Sequence, residues 1–231
     1  MLRVGDLFSG IGGFSLGLER TGGFKTQWFV EIDPYCQRVL RKHWPAVPCY
    51  GDIQTVDWAT VETVDVLCGG FPCQDISLAG KGAGIAGARS GLWSEYVNAI
   101  QALRPRYVLI ENVSALRARG LDQVLGALAT LGYDAEWHCV PAYAVGAPHR
   151  RDRVWIVAYP AGQGLQRYGA ECELGEGQSQ MQISRSAWWS CEPGVQRVAD
   201  GVPRRVDRLR AIGNAVVPQI VAQLGRYILA K

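Results

Sequence analysis

A short apolar run, Leu2–Phe8, breaks into Ser9-Gly10-Ile11-Gly12-Gly13 and resumes as an amphipathic stretch, Phe14–Arg20, closed by Gly22-Gly23. No other feature restricts the fold as strongly. It reads as strand, glycine turn, helix and cap, with glycines that let the chain turn tightly and let a ligand come close to the backbone. The pattern then repeats. Thr26–Val30 reads as a strand and Pro34–His43 as a helix with proline in its first turn, ending before Pro45. Val47–Tyr50 and Val64–Cys68 read as strands, and a long glycine-rich loop runs from Gly69 to Gly91. Leu92–Leu103 (helix), Tyr107–Ile110 (strand) and Leu121–Leu131 (helix) follow, and Tyr133–Val140 alternates so as to pair with Arg153–Ala158. Alternating β and α pieces predict a mostly parallel, doubly wound, Rossmann-like sheet with helices on both faces.

Beyond Pro160 the character changes. Ala161–Gln182 is rich in Gly, Gln and Glu and reads as loop or a loosely packed insertion. Ser186–Ala199 carries Trp188, Trp189 and the last cysteine, and Arg204–Arg210 is basic. Helical periodicity returns over Val216–Leu229 after a Gly213-Asn214 turn. The predicted organisation is a catalytic and cofactor-binding domain over 1–160, a small lobe over 161–203, and a C-terminal segment over 204–231 that returns to the first domain.

Composition excludes several classes. Of 231 residues 48% are apolar and 19% charged, which makes a core-forming chain rather than a disordered tail or a coiled coil. No apolar run reaches the ~18 residues of a membrane span, and the N-terminus lacks the layout of a secretory signal. The 7 cysteines are odd in number and irregularly spaced, without a Cys-x-x-Cys pair, and read as reduced thiols of a cytoplasmic protein with no metal site. The net charge of +3 matters less than its distribution. From Arg150 onward every base except Lys231 is arginine, the residue suited to phosphate and base contacts.

Sheets of this kind bind ligands beyond the carboxyl ends of their strands. Three such ends carry matching chemistry: the Asp6–Gly13 turn, then Glu31, which can accept from both hydroxyls of a ribose, then Asp52-Ile53, which can hold an exocyclic amine and pack on a base. The ligand so implied has a ribose and an adenine. The spacing is neither G-x-G-x-x-G nor that of a phosphate loop, so phosphates are not required. After the next strand, Gly69-Gly70-Phe71-Pro72-Cys73-Gln74-Asp75-Ile76-Ser77 puts a cysteine in a glycine-rich loop at the ligand edge, where it is a candidate nucleophile rather than a small core residue. Glu111-Asn112-Val113 ends at the same edge, and His149-Arg150-Arg151-Asp152-Arg153 adds a compact cationic group.

With these motifs in order, together with Arg197–Pro203 and Gly213-Asn214-Ala215-Val216-Val217-Pro218, the sequence resembles the DNA (cytosine-5)-methyltransferases over nearly all but about 162–196. The resemblance implies a methyl transfer from S-adenosylmethionine to carbon 5 of cytosine in duplex DNA. Cys73 would add to carbon 6 of the flipped base as a thiolate, and Glu111 would hold or protonate ring nitrogen 3. Arg151 and Arg153 would bind the base carbonyl oxygen, the phosphate, or Cys73 and its neighbours. Phe8, Gly10 and Gly12 would flank the cofactor, Glu31 its ribose, and Asp52 and Ile53 its adenine, with Pro72, Leu92, Asn214 and Val216 lining the remainder. The C-terminal helix would fold back beside the first strand. DNA contacts fall to Gln74, Ser77, Lys81 and Arg89 of the loop that would close over the flipped base, and to Arg150 and Arg185.

Two departures stand out. His149 occupies the family's usual glutamine position, and the stretch between Val157 and Arg197 is shorter than the family's target-recognition region. A short or degenerate target motif, or a partner that supplies part of the readout, follows as the expectation. One chain holds all the catalytic parts, so a monomer suffices. The late motifs look like those of prophage-borne stand-alone enzymes. Competing readings are a tRNA cytosine methyltransferase, whose Cys-Phe-Thr signature is missing here, a non-catalytic DNA-binding relative, and a nucleotide-binding oxidoreductase, which leaves the Pro-Cys loop unexplained.

Overall fold

The computed structural model describes residues 1–72, 91–162 and 205–231. Its strands are β1 (Leu2–Leu7), β2 (Phe24–Val30), β3 (Cys49–Tyr50), β4 (Val66–Gly69), β5 (Tyr107–Val113), β6 (Tyr133–Val140) and β7 (Arg153–Pro160). Among the described residues they form one sheet in the order β3-β2-β1-β4-β5-β7-β6. The pairs from β3 to β5 are parallel, whereas β7 runs antiparallel to both β5 and β6. The mixed sheet carries α1 (Gly13–Glu19), α2 (Pro34–His43), α3 (Leu92–Leu103), α4 (Leu116–Arg119), α5 (Leu121–Thr130), α6 (Arg205–Asn214) and α7 (Pro218–Leu229). The predicted α/β sheet and the β6–β7 pairing are both present.

The central strands read as continuous apolar runs because both of their faces are covered. Leu67, Val108, Ile110 and Ile156 point to one side, against Tyr96 and Ile100 of α3 and Val124 and Leu128 of α5. Val66, Cys68, Leu109 and Trp155 alternate to the other side, against Phe14 and Leu18 of α1 and Ile220, Val221 and Ile228 of α7. Helix α7 thus packs on the first strand–helix unit. Its approach is close enough that a Cβ on Gly17 would sit 2.5 Å from Val221 Cβ and 2.6 Å from the Pro218 carbonyl oxygen. At Gly5, on β1, a Cβ would lie 2.3 Å from the Trp28 ring, which covers the backbone of the neighbouring strand.

Two helix boundaries depart from the sequence reading. Arg205–Asn214, read as a basic stretch ending in a Gly-Asn turn, is the helix α6, and Gly213 and Asn214 are its last residues. Its apolar positions Val206, Leu209 and Ile212 are 77%, 42% and 52% exposed, so no stripe facing the described core announces the helix. The last helix starts at Pro218 rather than Val216, with proline in its first turn, where the missing N–H is harmless. Elsewhere the local signals act as read. Asp33 caps α2 by accepting from the amides of Tyr35 (2.7 Å) and Cys36 (3.2 Å), ahead of Pro34.

The order of the sheet reverses between β1 and β4: β2 and β3 lie on one side of β1, later strands on the other. Loops leaving the carboxyl ends of β1 and β4 therefore diverge and leave a crevice.

Candidate active site

The crevice is a cavity of about 660 Å³, within the size range of small-molecule sites. Its floor is the turn from β1 to α1. Phe8, Gly10 and Gly12 have φ of 50°, 54° and 84°, in the left-handed region that glycine tolerates best. Ser9 locks the turn: its amide donates to the Val30 carbonyl (3.1 Å) and its hydroxyl donates to the Asp6 carbonyl. Beneath it, Asp6 is fully buried and accepts from the Ser15 hydroxyl (2.8 Å) and amide (3.3 Å). Burial pushes this carboxyl up to about 8.

One half of the cavity is built for a nucleoside. Glu31, just past β2, accepts from the Gly10 amide on Oε2 and the Asp33 amide on Oε1, each at 2.7 Å. A carboxylate has about four acceptor sites, so the bracing leaves capacity for hydroxyl donors. Burial raises the Glu31 pKa, and these amides work against that shift. Asp52 caps the short 3₁₀ turn Ile53–Thr55 by accepting from the Gln54 amide (3.0 Å). Phe8 and Ile53 add apolar walls, and a Cβ at Gly10 or Gly51 would meet nothing within 4 Å. A braced carboxylate, a second acid, apolar walls and open backbone fit an adenosyl group.

The other half is cationic and acidic at once. Glu111, near the end of β5, is 8% exposed and its Oε1 lies 3.0 Å from Arg153 Nε. Burial nevertheless raises the Glu111 pKa, outweighing the opposing pull of Arg153 and Arg151. A carboxyl disposed to keep a proton can donate to a ring nitrogen. The β5–β7 register puts Val113 opposite Arg153 and so delivers the pair to one sheet edge. Gly70 keeps the space beside it open, since a Cβ there would lie 3.0 Å from Glu111 Oε2. Asn112 donates from Nδ2 to the Phe71 carbonyl (3.0 Å) and accepts from the Val113 amide (2.8 Å). It thereby ties β5 to the segment that leads through Pro72 to Cys73.

Arg151 does something the sequence reading missed. Its Nη1 donates to the Gly213 carbonyl (2.9 Å) and its Nη2 to the Ala215 carbonyl (2.7 Å). It straps the end of α6, with Asn214, against the cavity. Burial and the neighbouring Arg153 lower the Arg151 pKa.

Of the expected residues, Phe8, Gly10, Glu31, Asp52, Ile53, Pro72, Leu92, Glu111, Arg151, Arg153 and Asn214 line this one cavity. Gly12 and Val216 do not. A Cβ on Gly12 would lie 2.6 Å from the Trp44 ring, and Val216 Cγ2 lies 2.6 Å from the Cβ position of Gly13, so both serve the packing of α1. Arg150 is exposed and paired with Asp152 at 2.8 Å. Cys73, Gln74, Ser77, Lys81, Arg89 and Arg185 lie outside the described residues, as do the Arg197–Pro203 motif and nearly all of the expected lobe. The sequence reading omitted Cys36, Asn112 and Arg210, which also line the cavity. Asn112 was within reach, as the middle residue of Glu111-Asn112-Val113; Arg210 was hidden by the unrecognised α6. No group of three or more potential metal ligands occurs among the described residues.

Comparison with known proteins agrees with this geometry. The model of the C-5 cytosine-specific DNA methylase family matches residues 2–186. Type II methyltransferase M2.BsuMI of Bacillus subtilis (strain 168) is 39% identical over 165 residues, covering 68% of this chain and 42% of that protein. Type II methyltransferase M.NgoBI of Neisseria gonorrhoeae is 34% identical over 166 residues, covering 69% of this chain and 51% of that protein. The chain thus spans about half or less of the length of these relatives. A crystal structure of a Spodoptera frugiperda DNMT2 mutant superposes with a TM-score of 0.60 at 20% identity, over 70% of this chain and 51% of that one, which is a likeness of fold. With family match and site geometry concordant, the chain belongs to the C-5 cytosine-specific DNA methylases.

Proposed function

We propose that the protein transfers a methyl group from S-adenosylmethionine to carbon 5 of cytosine in duplex DNA. The observation that carries this reading is a single cavity with a nucleoside half at Glu31 and Asp52 and a buried Glu111–Arg153 pair at the other end. Pro72, which immediately precedes Cys73, lies in its wall. S-adenosylmethionine, when bound, supplies an electrophilic methyl sulfonium. Phe8, Gly10, Glu31, Asp52, Ile53, Leu92 and Asn214 would hold it.

The chain's own residues account for the activation of the base. Carbon 5 of cytosine is a weak nucleophile. Addition of the Cys73 thiolate to carbon 6 forms a carbon–sulfur bond and pushes an electron pair toward carbon 5. Glu111 donates a hydrogen bond to ring nitrogen 3 and so draws electrons from the ring during the attack. Arg153 orients Glu111 through their ion pair. Carbon 5 would use that pair to bond the methyl carbon as the methyl–sulfonium bond breaks and leaves a neutral thioether. Loss of the carbon 5 proton to a base or water then returns an electron pair to the ring and expels the cysteine thiolate. The base must first leave the duplex, at a cost of a few kcal/mol. Residues 161–203 are assigned to a short target-recognition lobe, and 204–231 to the segment that returns to the catalytic domain.

The test is transfer of labelled methyl from S-adenosylmethionine to unmethylated duplex DNA, with tRNA and single-stranded DNA alongside. Label at carbon 5 of duplex cytosine is expected. Cys73→Ala should abolish transfer and keep cofactor binding. Label confined to tRNA, or full activity in the alanine variant, would refute the proposal.

A further inference from the structure

Helix α4 begins three residues beyond Val113, which lines the cavity and pairs with Arg153. Its Leu116 is fully buried in the core, which pins the helix, while Arg117 and Arg119 are exposed. Among the described residues neither guanidinium meets a carboxylate within ion-pair distance. Several other described arginines are engaged. Arg3 pairs with Asp65, Arg150 with Asp152 and Arg153 with Glu111, while Arg38, Arg104 and Arg106 lie over tyrosine rings. Arg150, assigned to DNA from the sequence, is already partly neutralised. Arg117 and Arg119 share a helix of 4 residues, only ~6 Å long, that closely follows the cavity-lining Val113.

The geometry points to Arg117 and Arg119 as a phosphate-contacting clamp that seats the duplex backbone beside the catalytic cavity. This rests on the function proposed above and deepens it by naming where the substrate's backbone lies. A guanidinium with no carboxylate partner among the described residues can bind a phosphate oxygen without first breaking an ion pair there. Contacts of this kind fix orientation and carry no sequence information. They suit a chain whose region for reading bases is short. The competing role is structural: two bases near the carboxyl end of a helix favour its dipole.

Duplex affinity of the full chain is measured across 50–200 mM salt for the wild type, R117Q/R119Q and R117K/R119K. Each lost phosphate contact makes the slope of log K against log salt shallower by about 0.9, so the Gln pair should lose about 1.8. At 0.1 M salt this corresponds to roughly tenfold or more weaker binding. The Lys pair should restore most of the slope, and binding of S-adenosylmethionine should stay at wild-type strength in both. An unchanged slope in the Gln pair overturns the clamp, and so does a lowered Tm with an unchanged slope, which assigns the arginines to capping. If the wild type methylates duplex DNA while the variants match it, only the clamp fails. If the wild type neither binds nor methylates the duplex, the proposed function fails and the clamp with it.

Discussion

Replacing Arg151 separates two roles that the sequence reading merged. Both arginines of the Arg151-Asp152-Arg153 motif were expected at the base carbonyl oxygen, the phosphate, or Cys73 and its neighbours. In the structure Arg153 faces Glu111, whereas Arg151 holds the Gly213 and Ala215 carbonyls. A hydrogen bond from a charged donor contributes about 1.5–3 kcal/mol. The contact to Gly213 is exposed, so water can replace much of it, and losing both bonds should cost about 2 kcal/mol in the docking of this segment. If only the docked segment completes the cofactor wall with Asn214, Arg151→Met should weaken S-adenosylmethionine binding by up to ~30-fold. Arg151→Lys can reach one carbonyl and should fall about midway on a logarithmic scale. Calorimetric titration of the cofactor gives the affinity, and steady-state kinetics gives the split between KM and kcat. The cofactor KM should rise more than kcat falls. Because Arg151 also helps lower the Glu111 pKa, the Met variant alone should shift the pH profile toward higher pH. Unchanged cofactor affinity with a collapsed kcat would refute this reasoning and return Arg151 to the base.

Two further outcomes follow from the packing. Asp6 has its pKa raised from an ordinary 3.8 to about 8, so the folded state holds this proton more tightly than the unfolded chain does. The stability it contributes is complete below about pH 4 and drains away as pH rises toward 8, by an amount on the order of several kcal/mol. Asp6→Asn keeps the neutral shape and should flatten that loss; guanidinium midpoints at pH 5 and 8 that fall equally in both proteins would sink the argument. Gly17→Ala should push α7 away from α1, since its Cβ would meet backbone at 2.6 Å. The expected cost is about 1–3 kcal/mol, a drop in Tm of roughly 3–10 °C, and an unchanged melting curve would show that the helices slide apart freely.

Much of the site was legible because its chemistry sits at strand ends, and strand ends are marked by local signals. Glu31, Asp52, Pro72 and Glu111 each follow a short apolar run and precede a break in pattern. Their convergence follows from a rule of parallel sheets rather than from any pairwise contact. The reading failed where the deciding neighbour is remote in sequence. Gly12 looks like a ligand glycine, but its constraint is the ring of Trp44, and that of Gly13 is Val216. Helix α6 went unseen because its apolar residues face away from the described core and its ends carry arginine, glycine and asparagine.

By itself the sequence determined the α/β class, the order of the motifs and the residue types at the cavity, because strand and helix periodicity and turn chemistry act over a few neighbouring residues. It also determined that a cysteine follows Pro72 at that edge. The tertiary structure alone decided which of two equivalent-looking arginines meets Glu111 and which straps the C-terminal segment, that β7 inserts antiparallel between β5 and β6, and that burial outweighs two arginines at Glu111. Each of these depends on distance and dielectric between groups far apart in the chain, and neither quantity is written in the local pattern.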